Sequence, residues 1–192
     1  MSSLKFSIPC TLAIGLGANL PSPAGPPELT LIKTRPLLEK LIYEWAESLP
    51  QMKTDDEIPP KKLTWLWSPL YETEPLGGAP DQPIFINAVL LVEGHQLMAE
   101  NSSESAALDL LNRVLLLEKK FGRERVEGTQ WEPRSLDIDI LFWGSLQMKN
   151  DKLILPHPRI IERNFVITPL AAALSQKSSH ISQISPQPGW KE

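Results

Sequence analysis

Apolar and polar residues alternate with a period of two from Leu136 to Phe142, the pattern of a β-strand with one buried face. Leu136, Ile138, Ile140 and Phe142 fall on the core side, and Asp137 and Asp139 share the other. Residues 11–16 form an apolar run that reads as a buried first strand. The proline-rich stretch 21–27 that follows reads as an irregular loop. Leu38, Ile42 and Trp45 then step by four and three, the spacing of a helix face. Pro36 suits the first turn of that helix, or interrupts a longer one starting near Leu31. Residues 49–62 read as a surface loop, 62–73 as a second strand, 73–83 as a turn and 85–92 as a third strand. Between 104 and 121, Leu110, Val114, Leu117 and Phe121 mark a helix, and Gly122 supplies its stop. Leu111, Leu115 and Leu116 widen its apolar surface, so it is expected to be largely buried. Residues 152–155 read as a short strand and 163–174 as a final helix.

Strand, helix, strand, strand, helix, strand is the β-α-β-β-α-β order of a ferredoxin-like α+β fold. The expected core is a mainly antiparallel sheet flanked by helices. Residues 1–174 are expected to form one domain, with 21–62 an enlarged connection. The serine-, glutamine- and proline-bearing stretch 175–192 reads as a mobile tail.

Composition narrows the classes of function. The net charge of −4 provides no global field to draw the chain to nucleic acid or an acidic membrane. Basic character is local: Lys119, Lys120, Arg123, Arg125 and Arg134 outweigh Glu124, Glu127 and Glu132, which suits a small polyanion. The single cysteine, Cys10, excludes an internal disulfide framework and fits a reducing, cytoplasmic setting. Residues 6–18 are fairly apolar, but Pro9, Gly15 and Gly17 argue for a strand over a signal peptide.

Asp137 and Asp139 project from one side of a strand, roughly 6.5 Å apart at about 3.3 Å per residue. Strands disfavour Asp, and two adjacent carboxylates repel, so something cationic must compensate. An oxygen-only site completed by waters and phosphates suits Mg²⁺. A solvated strand face, or pairing with basic side chains, would satisfy the same pattern. Glu118 stands out as an acid at the end of a mostly apolar helix, where a partly exposed edge position would also accommodate it. Residues 15–20 begin like a dinucleotide fingerprint but carry Leu20 where the third glycine belongs, and a proline-rich loop follows. No Walker phosphate loop or kinase signature occurs, and one cysteine with three dispersed histidines makes no structural zinc site.

Four segments, taken in order, resemble the 6-hydroxymethyl-7,8-dihydropterin pyrophosphokinases of folate biosynthesis. They are A-I-G-L-G-A-N-L (13–20), Y-E-T-E-P-L-G-G-A-P-D-Q-P-I-F-I-N-A-V (71–89), E-K-K-F-G-R-E-R…W-E-P-R-S-L-D-I-D-I-L (118–141) and L-P-H-P-R-I-I-E-R-N-F-V (155–166). The resemblance implies an enzyme that moves the β,γ-diphosphate of ATP onto the hydroxymethyl group of a reduced pterin, leaving AMP. It implies two Mg²⁺ ions on Asp137 and Asp139. Arg123 and Arg134 would act around the reacting centre, with Glu118, Arg125, His157 and Arg163 also on the ATP side. Phe85 and Phe165 would stack on the pterin, Asn87 would meet its edge, and Thr73 and Leu76 would offer backbone groups. Trp131 would close over the site. Without the resemblance, Phe85 and Phe165 read as core and Trp131 as an exposed loop aromatic. A monomer is expected, with small-molecule partners only.

Other readings are a catalytically silent ATP- or pterin-binding relative, another ATP-using transferase on the same scaffold, and an RNA-binding module. The last lacks the basic, aromatic strand motif such modules carry. A silent relative would not need both aspartates, the arginines and His157 together. The chain departs from the family pattern at Ala18, where serine is usual, and at Glu132, where glycine is usual. Glu132 adds negative charge and stiffness beside Trp131. Replacing it, Glu132→Gly, is expected to lower the ATP dissociation constant in an equilibrium titration, and an unchanged constant would refute the effect.

Overall fold

The computed structural model describes residues 11–50, 62–76, 81–98, 101–124 and 132–176. The first strand, β1 (Thr11–Ala18), runs two residues past the expected end. Its neighbours are β4 (Phe85–Glu93) on one side and β5 (Asp137–Trp143) on the other, both antiparallel. Two short strands, β2 (Thr64–Trp67) and β3 (Tyr71–Thr73), pair in turn with the far side of β4. The resulting order β2-β4-β1-β5 is the all-antiparallel sheet of a ferredoxin-like α+β fold.

Residues 62–73 do not form one strand, because Pro69 has no N–H to continue a ladder. At the break the Ser68 amide donates to the Val89 carbonyl, and the Val89 amide donates to Ser68 Oγ, each at 2.9 Å. The interruption therefore leaves no orphan on β4.

Helix α1 (Pro27–Ser48) begins well before the expected start. Pro27 opens its first turn, where a missing N–H costs nothing, and Pro36 lies within the helix. Burial of Leu31, Leu38, Ile42 and Trp45 carries the helix past that proline. Helix α2 (Glu104–Lys120) is capped by Ser103, whose hydroxyl accepts from the Ala106 amide at 3.2 Å. Gly122 follows at φ +80°, the left-handed stop expected of it. Leu116 is 69% exposed, so α2 is buried along one face, not largely buried. Helix α3 (Asn164–Ser175) closes the described chain, and β6 (Met148–Lys149) pairs with β7 (Ile154–Leu155) in a separate hairpin.

The two sheet faces have different roles. Leu12, Ile14, Leu16 and Ala18 of β1 join the core with Leu38, Ile42, Trp45, Leu110 and Val114 of α1 and α2. Ala13, Val89, Leu91 and Leu141 face Val166 and Ala173 of α3. Because α3 is short, part of the second face stays open. The expected alternation of β5 fails at Leu141, where the register against β1 shifts by one residue between Ala13 and Ile14. Such a bulge reverses the facing of everything beyond it. Phe142 accordingly packs towards α3, while Trp143 enters the main core. There it meets Trp45 edge-on, with ring centroids 4.9 Å apart. No helix among the described residues is long and apolar enough to cross a membrane.

Candidate active site

The open part of the second face is a cleft floored by three strands. β1 contributes Gly15 and Gly17, β4 contributes Phe85, Asn87 and Val89, and β5 contributes Asp137, Asp139 and Leu141. Arg134, Thr73, Leu76, Arg163 and Phe165 form its walls and rim. Period-two alternation accounts for this selection, since every floor residue points away from the helices α1 and α2.

The register sets Gly17 opposite Asn87 on one side and Asp137 on the other. A Cβ at Gly17 would lie 2.9 Å from Asn87 Oδ1. Asn87 cannot readily withdraw, because it is buried and its Nδ2 donates to Thr73 Oγ1 at 2.8 Å. That bond fixes the amide and presents Oδ1 above the glycine floor. Phe85 and Phe165 both line the cleft and are half-buried, so neither is simply core. Each carries a guanidinium over its ring: Arg134 lies 5.9 Å from the Phe85 centroid and Arg163 lies 5.4 Å from that of Phe165.

Asp137 and Asp139 do share one face, and arginines supply the compensating charge. Arg134 Nη1 lies 2.7 Å from Asp137 Oδ2, and Arg123 Nη2 lies 3.9 Å from Oδ1. Arg163 Nη1 lies 3.8 Å from Asp139 Oδ2. Even so, burial on the cleft floor and the charge of Asp137 push the Asp139 carboxyl from 3.8 up to about 7, against the opposing pull of Arg163. The Asp139 side chain keeps 40% of its surface, so its oxygens remain reachable. Among the described residues no three His, Cys, Asp or Glu side chains group to hold a metal ion.

Asp139 also lines a second, open groove between α2 and the β6–β7 hairpin, with Leu111, Leu115, Ile140, Leu153, Ile154 and His157. The His157 amide donates to the Leu141 carbonyl at 2.7 Å, and its Nδ1 accepts from the Arg159 amide at 3.2 Å. Nε2 therefore carries the proton in the neutral ring. Burial, followed by Arg163 and Arg159, lowers the pKa of His157. The two cavities thus share Asp139 on their common wall.

Glu118 is only 1% exposed, not a partly exposed edge residue, and its Oε1 accepts from the Ile138 amide at 2.7 Å. Leu76 stands on the cleft rim, 55% exposed. Arg125 and Trp131 lie outside the described residues.

Three features escaped sequence reasoning. Gly15 and Gly17 read as a failed fingerprint and as evidence against a signal peptide, although two glycines two apart on a strand also signal an opened face. The bulge at Leu141 leaves no mark in an apolar run. Asn19, 2% exposed, accepts from the Arg134 amide at 2.7 Å and donates to the Pro83 carbonyl at 3.1 Å, tying the approaches to β4 and β5 together.

A ferredoxin-like sheet that holds an aspartate pair framed by arginines, beside an amide-and-aromatic slot, defines the class of site. The particular family follows from comparison with known proteins. The model of the 7,8-dihydro-6-hydroxymethylpterin-pyrophosphokinase family matches residues 13–175, and the chain belongs to that family. A folate synthesis bifunctional protein of Arabidopsis thaliana is 43% identical over 105 residues, 55% of this chain and 19% of its own length. A 2-amino-4-hydroxy-6-hydroxymethyldihydropteridine pyrophosphokinase of Synechocystis is 37% identical over 92 residues, 48% of this chain and 42% of its own. One of the same name from Pseudomonas aeruginosa is 37% identical over 116 residues, 60% of this chain and 64% of its own. The chain thus spans from 19% to 64% of the length of these curated relatives.

The raised pKa of Asp139 has a sign that can be measured. A carboxyl that holds its proton more tightly when folded stabilises the fold below about pH 4, and that contribution is lost as pH rises towards about 7. In the presence of chelator, the Tm of Asp139→Asn minus that of the unsubstituted protein should therefore grow from pH 4 to pH 8. A difference that stays flat across this window would refute the assignment.

Proposed function

We propose that this chain transfers diphosphate from ATP to 6-hydroxymethyl-7,8-dihydropterin, releasing AMP and the pterin diphosphate for tetrahydrofolate biosynthesis. One observation carries the reading: Asp139 lies on the wall shared by two cavities of different chemistry. Group transfer between two bound molecules needs their reacting atoms to meet at one point. The slot lined by Asn87, Phe85 and Phe165 suits a flat, amide-bearing ring. The groove lined by Leu111, Leu115 and Ile140 suits a nucleoside, with His157 beside its phosphate chain.

The donor set fits a divalent cation. Two carboxylates stand side by side, and burial, followed by the charge of Asp137, makes Asp139 hold its proton more tightly than an ordinary carboxyl. Two protein oxygens with phosphates and waters completing the shell is a normal environment for Mg²⁺. Asp137 and Asp139 would hold it, two ions being our reading, and bound Mg²⁺ would supply charge stabilisation on the phosphate oxygens.

The chain's own groups do the remaining work. Arg123 and Arg134 are already aimed at Asp137, where their planar forks can pass to phosphate oxygens when ATP enters. Arg163 and His157 approach the phosphates from the other side, with His157 donating from Nε2. Arg125 adds a further cation on the ATP side, and Glu118 stands behind the site. Asn87, set by Thr73, meets the edge of the pterin, and Phe85 and Phe165 flank its faces. Leu76 contributes a backbone group at the rim, and Trp131 covers the closed complex. The pterin hydroxyl oxygen bonds to the β-phosphorus, its proton passes to solvent, and the bond from that phosphorus to the bridging oxygen breaks, that oxygen leaving with AMP. We read residues 1–174 as one domain, acting as a cytoplasmic monomer on small molecules, without nucleic acid or membrane partners.

Incubation with ATP, Mg²⁺ and 6-hydroxymethyl-7,8-dihydropterin should yield AMP on nucleotide separation; ADP in its place would contradict diphosphate transfer. Asp139→Ala should reduce turnover at least ~10²-fold, the scale of one lost transition-state electrostatic contact. Near-normal turnover would move the metal elsewhere. Gly17→Ala drives a methyl against the Asn87 amide and should weaken dihydropterin binding about tenfold, the scale of one polar group left unsatisfied. ATP affinity should be unchanged, and equal losses for both ligands would show a general collapse of the sheet.

A further inference from the structure

We infer that Glu118 is a positioning residue for the aspartate pair: from behind β5 its carboxylate holds the peptide between Asp137 and Ile138, and so sets both aspartates. The inference rests on the reading of Asp137 and Asp139 as metal ligands. Glu118 belongs to the last turn of α2, on the side of β5 away from the cleft floor. Its side chain is 1% exposed, and its Oε1 accepts from the Ile138 amide at 2.7 Å. β5 pairs only with β1 among the described strands, so its outward amides need acceptors from elsewhere. The Ile138 amide is flanked by Asp137 and Asp139, and Ile138 itself is packed in the core. Fixing this one N–H therefore fixes the turn of the strand that aims two carboxylates.

A neutral acceptor would satisfy an amide there. A carboxylate is the costlier choice, because a helix C-terminus already carries partial negative charge. The neighbouring buried positions on α2 are apolar: Leu110, Val114 and Leu117. Glu118 also acts on Asp139 through space. The charge thus does two things a glutamine could not do equally well. It makes a short charge-assisted bond to the strand, and it deepens the negative field that draws a divalent cation to the cleft. Both effects would reach the substrates through the aspartates, which the test below separates from a direct nucleotide contact.

The test follows the Ile138 amide in ¹⁵N-labelled protein free of metal and nucleotide, comparing the unsubstituted chain with Glu118→Gln and Glu118→Leu. Loss of the acceptor in Glu118→Leu should speed Ile138 hydrogen exchange ~10-fold, the scale of one net hydrogen bond. Glu118→Gln should retain most of the protection but move the Ile138 resonance. Mn²⁺ titrated with a non-hydrolysable ATP analogue should bind severalfold more weakly to Glu118→Gln, and more weakly still to Glu118→Leu. Dihydropterin affinity should hold in both. In turnover, kcat should fall while KM for the pterin stays constant, with partial rescue by Gln relative to Leu. An Ile138 amide unmoved in Glu118→Gln, with weaker binding of metal-free ATP, would overturn the inference and make Glu118 a nucleotide contact. Should Glu118→Leu not fold, the Gln resonance and Mn²⁺ titration decide alone. Neither readout requires turnover, so absence of AMP from the unsubstituted chain would refute the proposed reaction and leave this test standing.

Discussion

Antiparallel pairing of β1 between β4 and β5 is the constraint on which the cleft depends. The register sets Gly17 between Asn87 and Asp137, and Gly15 between Val89 and Asp139. With strands about 4.8 Å apart, a polar amide on β4 and a carboxylate on β5 stand about 10 Å from each other. Between them the two glycines lack side chains of their own, which leaves room for the Asn87 amide over Gly17 and the Leu141 side chain over Gly15. A slip of one residue on either side would turn these groups into the helix-packed core. The two apolar layers prevent that slip. Leu12, Ile14 and Leu16 are locked against α1 and α2, while Ala13 is locked against the α3 side.

On this frame three arginines stand at different distances from the two aspartates. Arg134 makes a close contact with Asp137, but Arg123 and Arg163 stand at 3.9 and 3.8 Å from their aspartates. Longer pairs of this kind give up little when a better partner arrives. Burial and the charge of Asp137 meanwhile hold the Asp139 proton more tightly than usual.

Much of this was legible in the residues themselves. The succession of strands and helices and the α+β class followed from periodicity, and the shared face of Asp137 and Asp139 followed from alternation over three residues. Boundaries were less readable. α1 begins at Pro27 because a proline in the first turn looks, in sequence, like one more loop proline. The region 62–73 divides at Pro69, where a serine hydroxyl substitutes for a missing backbone partner, a tertiary arrangement with no local signature. Glu118 read as an edge acid because helical spacing alone cannot tell which buried strand amide awaits an acceptor. The basic side chains were visible as a cluster, whereas their individual partners required the sheet to bring residues 123, 134 and 163 to one place.

The extra residue at Leu141 has a consequence beyond local geometry. It resets the phase of β5 midway, so the first half aims carboxylates into the cleft while the second seats Trp143 in the main core. Its displaced carbonyl also secures the histidine loop. A single added residue thus lets one strand serve both an acidic cleft and a tryptophan-lined interior on opposite faces of the sheet.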